Sequence, residues 1–202
     1  MTALPPIGQA HSLAFRTNAR HIWSLAWPTL IGQVAVLAFG TLDTMLVARF
    51  AALDLAALSV GSAIYVSIFV GGLGLIGALG PIVGQLFGAG QHRAAGAQLR
   101  QAAWLALAVS ALGAIALMFP GPFLSLAHAQ TDLAPKISGY LQAQTLALPA
   151  ALLFVAYRTF NTSVSRPKAV MFLQLAGLAI KAPLAWVLIQ GNKALGIDAM
   201  GV

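Results

Sequence analysis

Residues 55–91 read LAALSVGSAIYVSIFVGGLGLIGALGPIVGQLFGAGQ, without one Asp, Glu, Lys or Arg. At 1.5 Å per residue, a helix of that length runs to about 55 Å, against a bilayer core of about 30 Å. The stretch therefore reads as a single crossing between about Ala57 and Gly80. From Pro81 onward it is expected to form a helical extension and turn at the surface. Working outward, four more apolar stretches flank it. Residues 22–42 are uncharged and the run resumes past Asp43 to Val47; residues 101–131, 137–157 and 169–190 follow, the last interrupted only by Lys181. Each is long enough to cross a bilayer as a helix. They are too long for barrel strands and lack strand alternation. The expected fold is all-α: a polytopic transmembrane bundle of five spans plus the start of a sixth.

Composition agrees. Only 7% of the 202 residues are charged, against about a quarter in soluble domains. Mean hydropathy is +0.87, which excludes a cytosolic enzyme and a disordered tail. The net charge of +7 comes without a dense basic run, so nucleic acid is not an expected partner. Cysteine is absent, which removes disulfides, thiol nucleophiles and thiolate metal sites.

The sparse charges mark topology. Arg16 and Arg20 lie in the tail of residues 1–21; Arg93 and Arg100 follow the second span; Arg158, Arg166 and Lys168 follow the fourth. These three connections carry seven Lys/Arg, against three (Arg49, Lys136, Lys193) on the other side. The positive-inside rule places the N-terminus in the cytoplasm. Residues 1–21 read as a cytoplasmic tail and residues 22–202 as one transmembrane lobe. Gly80, Gly84 and Gly88 lie four apart, a spacing that lets helix backbones approach.

Two ionisable residues fall inside spans. Asp43 lies about 10 Å below the outer end of the first, and Lys181 about 14 Å from the outer end of the fifth. Intramembrane charges are costly and usually face a bundle interior or wet cavity. Asp43 reads as a functional carboxylate or a buried structural hub. Lys181 reads as a snorkelling side chain, a structural partner of Asp43, or a cation that tunes its proton chemistry. Pro28 and Pro183 are expected to kink the first and fifth helices. Gln33, Thr44, Gln85 and Gln144 are candidates to line a polar cavity, or else ordinary interhelical contacts. HExxH, GxSxG and P-loop patterns are absent, and the four histidines are dispersed, so neither an enzyme nor a metal centre is expected.

Several motifs occur in order: Trp27-Pro28-Thr29-Leu30, Leu42-Asp43-Thr44-Met45, Gly80-Pro81-Ile82-Val83-Gly84-Gln85-Leu86-Phe87-Gly88-Ala89-Gly90, Arg158-Thr159-Phe160 with Arg166-Pro167-Lys168, and Ala182-Pro183-Leu184-Ala185-Trp186. In this order and separation the chain resembles the N-terminal lobe of multidrug and toxic compound extrusion (MATE) transporters, over about residues 20–202. The resemblance implies a cation-coupled antiporter in the bacterial inner membrane. It would exchange H⁺ or Na⁺ for amphipathic, often cationic compounds and need no other cofactor. It also implies that the Asp matching Asp43 is a coupling residue. Many bacterial relatives carry Asn where this chain has Lys181 and Ala185. An ammonium at that place repels Na⁺, so H⁺ is the expected coupling ion. Family transporters have two six-helix lobes. The sequence is therefore expected to be a fragment whose partner is a missing C-terminal lobe. The alternatives are a lipid-linked saccharide flippase of the same superfamily and a non-transporting truncated membrane protein.

Overall fold

The structure is a computed structural model that describes residues 7–48, 52–126 and 133–190. The expected start of a sixth helix lies outside these residues. In chain order the helices are α1 (Ile7–Ala48), α2 (Ala52–Gly77), α3 (Leu79–Gly88), α4 (His92–Met118), α5 (Gly121–Leu126), α6 (Ala134–Ser163) and α7 (Pro167–Gln190). Five segments are long and apolar enough to cross a membrane: Asn18–Met45, Leu55–Gly88, His92–Met118, Ala134–Ser163 and Pro167–Ala185. No strand occurs among the described residues. The all-α reading therefore stands. Large apolar side chains such as Trp23, Leu37, Trp104, Leu112, Leu146 and Phe172 point outward. In a bilayer this exposure carries no penalty, since lipid tails are as apolar as leucine.

Helix boundaries differ from the uncharged stretches, for physical reasons. The long apolar run breaks at Ala78 rather than near Pro81. Proline has no N–H to bond the carbonyl four residues back, here that of Gly77, but is tolerated in the first turn of a new helix. One face of α3 is exposed, with Pro81, Ile82, Gln85 and Phe87. Its Leu79 and Val83 are buried in the core, and it packs on α4 and α6. α4 ends at Met118, just before Pro120-Gly121-Pro122, so the expected 101–131 span is shorter at that end. At the other ends helices outrun the uncharged stretches. Arg93 and Arg100 ride on the first turns of α4, and Arg158 on the last turns of α6.

The core is built around α6. Ile137, Leu141, Leu148, Leu152, Val155 and Ala156 recur at helical spacing on one face and are buried. α4 meets that face with small residues, Ala102, Ala106, Ser110 and Gly113. A Cβ on Gly113 would stand 2.7 Å from Leu148 Cδ2, so the glycine sets this helix approach. Gly84 and Gly88 face open space, and of the α3 glycines only Gly80 meets a neighbour, Thr159 on α6. The expected α3 packing stripe thus reduces to one contact. α2 completes the group with α4 and α6, while α1 packs chiefly on α7. The bundle is therefore two groups, α1 with α7 and α2–α4 with α6, joined along narrower seams.

Two tight connections orient the helices. Gly90, at φ +74°, ends α3, and the Gln91 N–H reaches back to the Leu86 carbonyl at 2.9 Å. Ser165, at φ +59°, ends α6 in the same manner, with the Arg166 N–H donating to Asn161 O at 2.8 Å. Both are left-handed helix caps, a place where glycine is the usual residue.

Candidate functional site

Asp43 and Lys181 meet across the α1–α7 seam. Lys181 Nζ donates to Asp43 Oδ2 at 2.7 Å. Both side chains are about a third exposed (34% and 39%), so the pair borders space rather than closed core. The ammonium also stands 4.9 Å from the centroid of the Phe39 ring. Phe39 lies one helical turn before Asp43, so one face of α1 presents a carboxylate and an aromatic face to the same cation. The helical period puts Phe39 there, a signal present in the sequence but readable only once the lysine was known to cross over.

Across the gap stands α6. Tyr140 lies within electrostatic reach of Asp43 and accepts a 2.8 Å hydrogen bond from Gln144 Nε2. Its ring packs over Gly61 of α2, where a Cβ would approach to 2.7 Å. The end of the bundle holding the ion pair therefore collects Asp43, Lys181, Phe39, Tyr140 and Gln144. Of the sequence candidates, Gln144 joins this end. Thr44 is exposed, and its hydroxyl donates to Gly40 O at 2.9 Å within α1. Gln85 stands exposed on α3, away from the α1–α7 seam, and Pro183 is exposed within α7.

Pro28 and Gln33 go elsewhere. They border a cavity of about 280 Å³ between α1, α6 and α7, with Arg158, Met171 and Gln174. Pro28 is fully buried inside a continuous α1. Gln33 precedes Asp43 by ten residues, about 15 Å along the helix. The seam thus has two polar places, one at each end. Arg158 reads as a loop charge in the sequence, and its place on this cavity was not anticipated.

Five apolar helices with a carboxylate–ammonium pair at a helix seam define a multi-pass helical membrane protein. The MatE family model matches residues 28–187, and the chain belongs to this family of transporters, which are not enzymes. It is 37% identical over 185 residues to a probable multidrug resistance protein NorM of Aromatoleum aromaticum, covering 92% of this chain and 40% of that protein. It is 35% identical over 179 residues to the multidrug resistance protein NorM of Vibrio cholerae, covering 88% and 39%. The Vibrio vulnificus NorM is 34% identical over 189 residues, covering 93% and 41%. The chain thus spans about 40% of the length of these relatives, one lobe of them.

Proposed function

We propose that this chain is the N-terminal lobe of an H⁺-coupled antiporter that exports amphipathic, often cationic compounds across a bacterial inner membrane, its N-terminus in the cytoplasm. Transport belongs to this lobe together with a second, C-terminal one, with substrate between them. Family membership supports the transport class. The Asp43–Lys181 pair is the observation that carries the coupling reading.

In this proposal the carboxylate, held by an ammonium at 2.7 Å, alternates between a paired and a released arrangement. Ionised, it holds Lys181 and ties α1 to α7. Protonated, it loses its Coulombic hold on the lysine, and the seam is free to rearrange. A proton arriving from outside therefore biases the bundle toward one state. A cationic substrate biases it toward the other, because a second positive charge competes for the same carboxylate field. This is linkage between two ligands through a two-state element. Lys181 already fills the place beside Asp43, and its charge repels Na⁺.

The test uses everted membrane vesicles containing the full-length gene product. A lumen-acid pH gradient without Na⁺ is expected to drive drug into the lumen. A Na⁺ gradient without a pH gradient is expected to leave the drug outside. Robust Na⁺-driven uptake overturns H⁺ coupling while leaving the transporter reading intact.

A further inference from the structure

The cavity at the other end of the α1–α7 seam holds donors that the Asp43–Lys181 pair does not use. Gln174 is only 6% exposed and borders the cavity, yet its carboxamide hydrogen-bonds to no described residue. Its oxygen lies against α1 at Gly32, where a Cβ would collide with it, so the amide is held in place by packing. Its polar atoms open onto the cavity, since no enclosed side-chain nitrogen or oxygen among the described residues lacks a partner. Arg158 is half-buried at the same cavity and makes no ion pair with a described residue. The hydroxyls of Thr29, Thr162 and Ser163 on the cavity wall are already spent. Each donates to the carbonyl of its own preceding turn, at 3.0, 2.8 and 2.9 Å. The unspent donors are then the Arg158 guanidinium, the Thr159 hydroxyl and the carboxamides of Gln33 and Gln174.

A guanidinium fork with flanking amides matches an oxyanion, which it binds through two parallel N–H bonds. Pro28 and Met171 supply an apolar wall beside it. The cavity, of about 280 Å³, is open on one side. It suits the polar end of a molecule whose tail lies outside. We propose that this cavity is a second ligand site, separate from the ion pair, that takes the carboxylate or phosphate end of an amphipathic anion. Arg158 is the counter-ion, and Gln33 and Gln174 orient the group. The anion comes either from a soluble amphiphile or from the headgroup of a membrane phospholipid.

The experiment is a binding measurement and does not depend on transport. The full-length protein is placed in phosphatidylcholine nanodiscs and titrated with a dansylated undecanoic acid and with its primary amide. The acid is expected to bind at least tenfold more tightly than the amide. Arg158→Gln is expected to bring the two within about twofold, Arg158→Lys to keep a clear preference for the acid, and Gln174→Leu to weaken the acid several-fold. Repeating the titration with phosphatidylglycerol separates the two sources. An acid affinity that falls as the anionic lipid rises identifies the headgroup as occupant; an unchanged affinity identifies the soluble amphiphile. Equal binding of acid and amide by the unaltered protein overturns the proposal, whether or not Arg158→Gln folds. So does a full acid preference in a folded Arg158→Gln, and the cavity is then a hydrated void.

Discussion

Lys181 Nζ lies 2.7 Å from Asp43 Oδ2, joining residues 138 positions apart in the chain. The bond ties the last described helix to the first, over the face of Phe39. Two charges that each look expensive in a span compensate one another. The proposed coupling role and a role in stability are separable by substitution.

Asp43→Asn is expected to reduce drug efflux to background in the full-length protein, since the amide cannot take up and release a proton. Membrane insertion, read from the amount recovered in the membrane fraction, is expected to persist. Drug tolerance at the unaltered level would make Asp43 a structural residue.

The stability role follows a different pattern. Asp43→Asn leaves an ammonium without its counter-charge, and Lys181→Met leaves a carboxylate so. Removing one partner of an internal pair is worse than removing both. The Asp43→Asn/Lys181→Met double variant is therefore expected to melt above either single variant in detergent, while efflux stays at background. Simple additivity of the two melting shifts would show that the pair contributes no coupling energy.

Glycine substitutions separate packed from open positions. Gly113→Ala drives a Cβ toward Leu148 and Ile68 and is expected to cost about 1–3 kcal/mol through overpacking. Gly84→Ala meets open space and is expected to be neutral or slightly stabilising, because alanine favours helix. Thermal melting of the two variants side by side reads this. A Gly84→Ala loss as large as that of Gly113→Ala would mean that a further segment covers Gly84 in the full-length protein.

Ser165 holds φ +59° at the end of α6, where only glycine escapes the Cβ clash. Ser165→Gly is expected to stabilise the protein by about 0.5–1 kcal/mol, seen as a rise in melting temperature. A fall would show that the Ser165 side chain contributes more than its backbone strain costs.

The lack of cysteine makes orientation easy to read. Lys168→Cys and Gly121→Cys both sit at exposed positions, near opposite ends of the bundle. In spheroplasts a membrane-impermeant maleimide is expected to label Gly121→Cys at once and Lys168→Cys only after permeabilisation. The reverse pattern would invert the topology.

The five spans and the two charges within them were legible in the amino-acid sequence. The reason is solvation: a charge in lipid is so costly that its absence over about 20 residues defines a span, and its presence marks a special place. Helix length against bilayer thickness also called for a boundary inside the 55–91 run, and the structure places it at Ala78, three residues before Pro81. What the sequence left open depended on which helix faces which. It offered Lys181 as a snorkelling side chain or as a partner of Asp43; only the docking of α7 on α1 brought the two together. It grouped Gln33, Thr44, Gln85 and Gln144 as alike. Tertiary packing set an exposed Gln33 at the rim of the Arg158 cavity and Gln144 on Tyr140, and left Thr44 and Gln85 exposed away from both. It read Arg158 as a topology marker, and the fold set it on a cavity beside Gln174. Burial of apolar surface is a sum over composition and so is written along the chain. The meeting of two polar groups is a matter of distance, and distances between remote residues are set only when the helices dock.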